Sequence, residues 1–368
     1  MGIKKGLALF ISLLFLSSLL AGCISTPSSS LGTGSESPNL EDFNNEIVID
    51  TTNTDTNSSD SSDTSDKSLD ISSDELGDIT VKFIDVGQAD SCLIVTSNND
   101  AILIDAGESK DASEILSVLS LYDLEDIDLM ILSHPHADHI GGAKTILESY
   151  TVNEVLMCSF EATSKLFENL LDTLSSQDVL VTPASVGLEY NIDDIVFTVL
   201  GTDSVPNDNN NSSVVVKMTY GSVDILFTGD AEESAEEIIL SNGLDLSCEV
   251  LKVGHHGSET STSDAFLSAV SPRIAIISVG VSNSYNHPSA ILLQKLTDNG
   301  IQYYRTDELG TITLEIDGKD IVTSIEDNFE TTNNNGSFIY SPNVAEIGLA
   351  PESNVLESQT IKNSDLGC

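Results

Sequence analysis

The chain has 368 residues and carries 59 acidic side chains against 14 basic ones, which gives a net charge of -45 at pH 7. This charge opposes non-specific binding to nucleic acids, because that affinity comes from Lys and Arg side chains that neutralise phosphates. A saline habitat is an alternative explanation of the acidic excess. The five cysteines are too scattered for a disulfide scaffold, and Cys92, Cys158, Cys248 and Cys368 lack zinc-finger spacing.

The N-terminus has the features of an export signal. Lys4 and Lys5 precede the apolar run 7–20, which is short for a permanent membrane span. Residues 20–23, Leu-Ala-Gly-Cys, resemble a lipobox, in which the signal is cut before the cysteine and Cys23 carries the lipid. Residues 1–23 are therefore predicted to be a lipoprotein signal peptide with lipobox Cys23, and the lipid on Cys23 is predicted to tether the protein to the outer face of the cytoplasmic membrane. An uncleaved anchor is the alternative.

Composition divides the remaining chain into three parts. Residues 24–78 are rich in Ser, Thr, Asn and Asp and predict a disordered tether, extended by its own negative charge, with a passive spacer as the alternative. Residues 79–325 are long enough for one well-buried domain. Residues 326–368 are polar again, apart from short apolar patches, and predict a mostly disordered tail.

The pattern of apolar residues within 79–325 predicts alternating strands and helices. The predicted strands are 79–84, 91–96, 101–104, 127–133, 195–200, 213–219, 223–228, 249–253, 274–279 and 311–316. The predicted helices are 112–121, 143–149, 231–241, 263–270 and 289–299. Strands this numerous, interrupted by helices, indicate sheets packed in layers and covered by helices.

Half of the six histidines fall within residues 134–139, in the run His-Pro-His-Ala-Asp-His, which two glycines follow at 141 and 142. The run comes directly after a predicted buried strand, so the strand end sets the direction of each side chain. Imidazole is the commonest side-chain metal ligand near neutral pH. The spacing therefore predicts a metal-binding loop.

The pattern His-x-His-x-Asp-His resembles the signature of the metallo-β-lactamase superfamily, and the run 134–142 resembles its ComEC-type branch, named after the hydrolase domain of bacterial DNA-uptake proteins. Further runs that resemble this branch are 86–90, 103–107, 226–230 and 252–258. The resemblance implies an α/β (α+β) fold, the four-layer αββα sandwich, with its metal loops along one edge of the two sheets.

The resemblance also implies a site for two divalent cations, with zinc favoured and manganese or magnesium as alternatives. The implied ligands are His134, His136, Asp138, His139, Asp230 and His255. Asp230 takes the position of the carboxylate that bridges the two cations, with a helix cap as its alternative role. Asp138 is expected to orient the attacking water, and His256 to act in proton transfer, although the roles of His255 and His256 are exchangeable.

Other residues are candidates for support or substrate contacts. Many superfamily members place a third histidine for the first cation where this chain has 201–214, a segment without histidine. Asn211 and Ser212 resemble the Asn-Ser element found there in ComEC-type sequences, and an amide oxygen would bind zinc weakly. An Asn-rich loop with glycosylation sequons is the alternative. Further candidates are Asp105, Lys252, Ser258, His287 and Arg305.

These features predict an extracytoplasmic, metal-dependent hydrolase, with a phosphodiesterase or nuclease as the leading hypothesis. Hydrolysis of a smaller substrate, such as a choline-phosphate ester, a lactone or a β-lactam, is the second hypothesis. The third is a non-catalytic surface binding protein with a degenerate metal site. The predicted partners are the membrane, through lipid on Cys23, and a phosphoester or nucleic-acid substrate; no protein partner is predicted.

Overall fold

The computed structural model describes residues 79–325 and, beyond them, the backbone of two short paired strands, Thr331–Thr332 and Phe338–Ile339. The predicted signal peptide with Cys23, the predicted tether and most of the predicted tail lie outside the described residues. Within the described part, no helix combines the length and apolar character that crossing a membrane requires.

Two sheets make up the body. The strands, in chain order, are β1 Ile79–Phe83, β2 Cys92–Val95, β3 Ala101–Ile104, β4 Ile127–Leu132, β5 Val152–Met157, β6 Leu180–Pro183, β7 Glu189–Ile192, β8 Ile195–Gly201, β9 Val215–Tyr220, β10 Val223–Phe227, β11 Val250–Lys252, β12 Ile274–Ile277, β13 Gln302–Arg305, β14 Ile312–Ile316 and β15 Ile321–Ile325. The first sheet has the order β15-β14-β1-β2-β3-β4-β5-β6, and the second β13-β12-β11-β10-β9-β8-β7.

Eight helices are described between residues 79 and 325. They are α1 Ala112–Leu119, α2 Ala137–Ile140, α3 Ala143–Ser149, α4 Lys165–Ser176, α5 Glu233–Ser241, α6 Asp264–Val270, α7 Ala290–Asp298 and α8 Thr306–Leu309. Short 3-10 turns lie at Asn210–Ser212 and Gly254–Gly257. Ser164, Ser263 and Ser289 cap α4, α6 and α7, since each hydroxyl accepts a hydrogen bond from a backbone N–H in the first turn.

The strands alternate their side chains between two cores. Val81, Phe83 and Ile94 of the first sheet pack against Phe197 and residues of the second sheet, in a core between the sheets. Because successive strand residues point to opposite faces, the neighbouring residues form a core under α1, α3 and α4 on the outer face of the first sheet. A third core lies between the second sheet and α5, α6 and α7. The four-layer αββα arrangement expected from the sequence is therefore confirmed.

The prediction missed a continuous stretch of elements between residues 150 and 194, namely β5, α4, β6 and β7. β6 and β7 are edge strands whose residues stay half-buried or exposed, so their apolar pattern is weak and their pairing defines them. Helix α4 is different, because Phe167, Leu170 and Leu174 form a helical apolar stripe behind a serine cap. That signal was present in the sequence.

The described cysteines carry no disulfide: Cys92, Cys158 and Cys248 are buried free thiols. Burial raises the pKa of Cys158 and of Cys248 to about 12. These thiols are therefore protonated at neutral pH and unsuited to metal binding or nucleophilic attack.

Candidate metal centre

Parallel pairing brings the proposed ligands to one edge. β3 pairs with β4 in parallel, and β10 pairs with β11 in parallel, so within each sheet the two following loops leave at one end. The 3.7 Å distance between His134 Nε2 and Asp230 Oδ2 shows that these two ends lie together. The loop after β3 carries Asp105, and the loop after β4 carries His134. In the second sheet, Asp230 follows β10, and His255 follows β11.

A first group consists of His134, His136 and Asp230, whose potential ligand atoms lie within 4.8 Å of one another. His134 Nε2 lies 3.0 Å from His136 Nδ1 and 3.7 Å from Asp230 Oδ2. Two ring nitrogens and one carboxylate oxygen converge here on a common point.

A second group consists of Asp138, His139, Asp230 and His256, again within 4.8 Å of one another. His139 Nε2 lies 3.2 Å from Asp230 Oδ1, and His256 Nε2 lies 3.3 Å from Asp138 Oδ2. His256 rather than His255 belongs to this group, so the geometry favours the exchange of roles that the sequence left open.

Asp230 belongs to both groups and is almost fully buried, with 1% of its surface exposed. Its Oδ2 faces His134, and its Oδ1 faces His139. The backbone N–H of Asp230 donates to Ser213 Oγ over 3.0 Å, which holds the residue at the strand end. This is the placement that a bridging carboxylate requires, and it differs from the helix-cap alternative.

The residues present fit divalent cations. Asp230 Oδ1 and His139 Nε2 are buried, and neither has a hydrogen-bond partner. Leaving such atoms unpaired is costly, whereas a cation between them would bind both lone pairs. The donor set of imidazoles and carboxylates suits zinc and also accepts other first-row divalent ions.

Asp105 supports the second group without joining it. Its Oδ2 accepts from Ser133 Oγ over 2.7 Å and lies 2.8 Å from His139 Nδ1, while its Oδ1 accepts from the Ser133 N–H over 2.7 Å. A carboxylate at Nδ1 holds the proton on that nitrogen and leaves Nε2 free to bind a cation.

A second carboxylate, Asp90, was not singled out from the sequence as a site residue. Its Oδ1 lies 3.3 Å from His256 Nδ1, which also lies 3.0 Å from the Ser278 carbonyl oxygen. The Lys252 ammonium donates to Asp90 Oδ2 over 2.7 Å and is buried. Lys252 therefore orients Asp90 rather than contacting substrate. In the sequence, Asp90 could have been recognised as the last residue of the run 86–90, Val-Gly-Gln-Ala-Asp.

The segment around Asn211 has a structural role. The Asn211 amide oxygen accepts from the backbone N–H groups of Glu232 and Ala235, over 3.1 and 3.2 Å, and so caps α5. Ser212 Oγ donates to the Asn209 carbonyl oxygen over 2.6 Å. The ligand role considered for Asn211 is not supported, because its oxygen is committed to the helix. The amide nitrogen of Asn209 lies 2.9 Å from His136 Nε2 instead.

The remaining candidates lie outside the two ligand groups. Ser258 is buried and hydrogen-bonds Thr260 at 2.9 Å. The His287 ring packs edge-on against the His255 ring, with centroids 5.5 Å apart. Arg305 donates to both oxygens of Asp307, over 3.0 and 2.6 Å. Its guanidinium is thus committed to an ion pair.

The charges of the cluster shift its pKa values in the metal-free protein. Burial lowers the pKa of His256, but the carboxylates of Asp230 and Asp90 outweigh that effect and raise it to about 10. Burial raises the pKa of Asp138, but the hydrogen bond from His256 and the charge of His139 lower it to about 2. His256 is thus cationic and Asp138 anionic at neutral pH when no cation is bound.

These shifts predict how the stability of chelator-treated protein depends on pH. A histidine whose folded pKa exceeds its unfolded value stabilises the fold below about pH 6.5 and loses that contribution as pH rises through the folded pKa. We expect the melting temperature of chelator-treated protein to fall between pH 7 and 10. The variant His256→Asn should flatten this slope, and an equally steep slope in the variant would contradict the assignment.

Gly142 permits the close packing of the metal loop against the loop after β3. A Cβ atom at Gly142 would lie 2.3 Å from the Ala106 carbonyl oxygen. We therefore expect Gly142→Ala to destabilise the protein by about 1–3 kcal/mol in urea unfolding and to weaken cation binding. The control is Thr145→Ala, an exposed position on the neighbouring helix α3, which should leave stability and cation binding nearly unchanged. Equal losses of stability in both variants would argue against the steric explanation.

Comparison with known proteins agrees with this geometry. Residues 84–281 match the family described as "Metallo-beta-lactamase superfamily". The match covers more than half of the chain, which therefore belongs to the metallo-β-lactamase superfamily. The resemblance inferred from the sequence motifs is confirmed.

Its relatives include bacterial competence proteins. The chain is 31% identical to ComE operon protein 3 of Bacillus subtilis (strain 168) over 63% of this chain and 32% of that protein. It is 34% identical to Recombination protein 2 of Haemophilus influenzae over 59% of this chain and 26% of the relative. The chain thus spans about a third of the length of these relatives or less. A solved structure, the metallo-β-lactamase fold protein YhfI from Bacillus subtilis, is 13% identical and covers 65% of this chain and all of its own, with a TM-score of 0.45.

Proposed function

We propose that this protein is a metal-dependent phosphodiesterase or nuclease. The observation that carries the proposal is the position of Asp230, whose two oxygens each face a separate group of ligands. Two adjacent cations suit phosphoester hydrolysis, because together they lower the pKa of a water molecule and neutralise phosphate oxygens. The similarity to competence proteins supports a nucleic-acid substrate.

Several residues of this chain would have separate roles in the reaction. Asp138 has 29% of its side chain exposed and is ionised at neutral pH, so its carboxylate can accept a hydrogen bond from the attacking water. The fully buried side chain of His139 and the nearly buried one of His256 fix the positions of their ring nitrogens. Asp105 accepts the Nδ1 proton of His139, and the Ser278 carbonyl oxygen accepts that of His256, so both protons stay in place. Rigid placement of this kind reduces the reorganisation needed during the reaction.

Substrate has access next to the first group. A groove of 410 Å³ is lined by His136, Pro135, Phe160, Leu166 and Asn209, among others. No Lys or Arg lines it. Phosphate recognition would therefore depend on the cations, while the apolar wall accepts the rest of the substrate.

We also propose that the protein acts outside the cytoplasmic membrane, tethered through lipid on Cys23. The support is the sequence of residues 1–23 alone. Labelling with radioactive palmitate would test this, and labelling that persists in Cys23→Ser would overturn it.

The test of the activity combines metal analysis with a substrate panel on the full chain. Purified protein loaded with zinc or manganese is offered single-stranded DNA, double-stranded DNA, RNA and bis(p-nitrophenyl) phosphate. The variants His136→Ala and Asp138→Ala should lose cations and hydrolysis together. Loaded protein that hydrolyses none of these substrates would overturn the proposal, and unchanged cation content in both variants would overturn the ligand assignment.

A second candidate is hydrolysis of a compact or neutral substrate. The net charge of -45 and the groove without basic residues favour it, since both oppose a long polyanion. A choline-phosphate ester, a lactone and a β-lactam, assayed beside the phosphodiesters, distinguish the two candidates. Selective turnover of the lactam or lactone would replace the phosphodiesterase proposal.

A further inference from the structure

Residues 280–288, in the loop after β12, present two exposed apolar side chains. Val281 is 72% exposed and Tyr285 66%, the highest exposures of any large apolar side chain in the described part of the chain. A single exposed apolar residue is ordinary on a protein surface. Two of them on one loop that is otherwise well ordered by contacts indicate a surface that a ligand covers.

The 280–288 loop is tied to other segments at both of its ends. At its start, the Gly280 N–H donates to the Gln88 side-chain oxygen over 3.1 Å. A Cβ atom at Gly280 would lie 2.6 Å from the Gln88 backbone nitrogen, which shows how closely the two loops pack. After its end, the Ser289 N–H donates to the Gly257 carbonyl oxygen over 2.8 Å. The loop is therefore held between the first loop of the domain and the turn that carries the paired histidines.

The side chain of Asn283 fixes the interior of the loop. Its oxygen accepts from the backbone N–H groups of Tyr285 and His287, over 3.1 and 3.0 Å. Its nitrogen donates to the carbonyl oxygens of Gly280 and His287, over 3.0 and 2.6 Å. The backbone of Tyr285 is thus positioned before any ligand binds. A ring held in this way loses little conformational freedom on binding, which favours affinity.

The Tyr285 ring is the outermost of three rings that lead to the metal centre. It stacks on the His287 ring, with centroids 5.8 Å apart and 29° between the planes. His287 packs edge-on against His255, with centroids 5.5 Å apart. His255 Nε2 lies 3.7 Å from Asp230 Oδ2. Two imidazole rings therefore separate Tyr285 from the bridging carboxylate, and the tyrosine face that does not rest on His287 is available to a ligand.

The sequence keeps negative charge away from this loop. No Asp or Glu occurs between Asp264 and Asp298, although the chain has 59 acidic side chains in 368 positions. This interval is the longest without an acidic side chain in residues 79–325. Residues 274–294 also contain no Lys or Arg. The loop itself therefore neither repels a phosphate chain nor neutralises it, and a nucleic acid bound there would owe its affinity to contacts other than charge.

A flat, uncharged and accessible ring is suited to bind other flat rings. Every nucleobase has such a face, and a base that stacks on an aromatic side chain stabilises binding with little dependence on sequence. In a duplex the base faces are covered by the neighbouring pairs, so only an unpaired strand offers them. The chemistry of the 280–288 loop therefore favours single-stranded nucleic acid over duplex.

We propose that Tyr285 is a substrate-binding residue, whose accessible face stacks on a base of single-stranded nucleic acid while a neighbouring phosphate lies at the metal centre. Asn283 and His287 are positioning residues that hold the ring. The proposal rests on the proposed phosphodiesterase or nuclease function and narrows its substrate to unpaired strands.

The experiment compares two fluorescein-labelled strands of equal length and equal charge. One carries thymine at every position, and the other carries abasic tetrahydrofuran sites throughout. Phosphorothioate linkages resist hydrolysis, so fluorescence anisotropy with full-length, zinc-loaded protein reports binding alone. The wild type should bind the thymine strand about 5- to 150-fold more tightly than the abasic strand.

The variant Tyr285→Leu should remove this preference, because leucine keeps an apolar side chain but has no ring. Its affinity for the thymine strand should fall to that for the abasic strand, which should itself bind as it does to the wild type. Tyr285→Phe retains a ring and should keep the preference. Zinc content and circular dichroism verify that the metal centre and the fold are intact in each variant.

Two controls test whether the effect is specific. Leu121→Ala removes another exposed apolar side chain, 59% exposed in the turn after α1, and should change neither affinity. The thymine strand annealed to its complement should bind no more tightly than the abasic strand, because its bases are then covered. A duplex bound as tightly as the single strand would contradict the stacking role.

The remaining outcomes separate this proposal from the hydrolase proposal. Wild-type protein that binds the two strands equally, or binds neither, would overturn the role of Tyr285, as would Tyr285→Leu protein that keeps the preference. A changed oligomeric state of Tyr285→Leu with unchanged strand binding would assign the loop to a contact between copies of the chain and would also overturn it. Wild-type protein that prefers the thymine strand but hydrolyses no unmodified strand would overturn the hydrolase function and leave the stacking role standing.

Discussion

Asp230→Asn is expected to reduce hydrolysis by about 100- to 1,000-fold and to abolish the paired binding of cations. The amide keeps the shape of the side chain but loses the negative charge and one of the two oxygens that face the ligand groups. Metal content by mass spectrometry and the rate on the best substrate of the panel are the measurements. In chelator-treated protein the same change should also lower the pKa of His256, since Asp230 raises it.

The matched control for Asp230→Asn lies on β10, the strand that precedes Asp230. Asp224 is partly buried and accepts a hydrogen bond from Thr219 Oγ1 over 2.6 Å, away from the ligand groups. Asp224→Asn should leave metal content and rate within a few-fold of the wild type. An Asp230→Asn protein that still binds two equivalents with unchanged affinity would refute the bridging role.

Asp105→Asn is expected to weaken binding of the second cation by about 10- to 100-fold, because the carboxylate beside His139 Nδ1 is replaced by an amide. Asn suits the backbone here, since Asp105 has a φ of 58°. Compared with Asp105→Asn, Asp105→Ala should lower the free energy of unfolding by about a further 1–3 kcal/mol, because the buried Ser133 N–H then lacks an acceptor. Isothermal titration and urea unfolding measure the two effects.

Asp111→Asn provides the comparison within the same loop. Asp111 Oδ2 accepts from the Glu108 N–H over 3.0 Å and does not contact a ligand. This variant should bind both cations as the wild type does. If Asp105→Asn also retained wild-type affinity, the orientation of His139 would have to depend on packing alone.

Much of the architecture followed from local patterns. The buried strands of both sheets alternate clearly or are wholly apolar, so β3 and α3 lie where the sequence placed them, and β4 ends one residue before the predicted end. The edge strands β6 and β7 were missed because they bury little surface and owe their conformation to hydrogen bonds with a neighbour. The residues of an edge strand do not by themselves indicate which strand will pair with it.

The identity of the ligand-bearing loops was also accessible from the sequence. His134, His136, Asp138 and His139 occur together, directly after an apolar strand, and imidazole and carboxylate chemistry makes such a run a metal loop. The match of residues 84–281 to the superfamily agrees with that inference. A set of metal ligands that lies within one short segment can be recognised from the sequence alone.

The tertiary structure decided which atoms face one another across the two sheets. Adjacent His255 and His256 are indistinguishable in sequence, and only their left-handed turn directs them to different oxygens of Asp230. Asp90 lies next to His256 because loops of different sheets meet, and they meet only after the sheets pack. The direction of each ligand side chain depends on backbone angles and on distances of a few ångströms between segments that are remote in sequence. The local sequence does not determine these quantities.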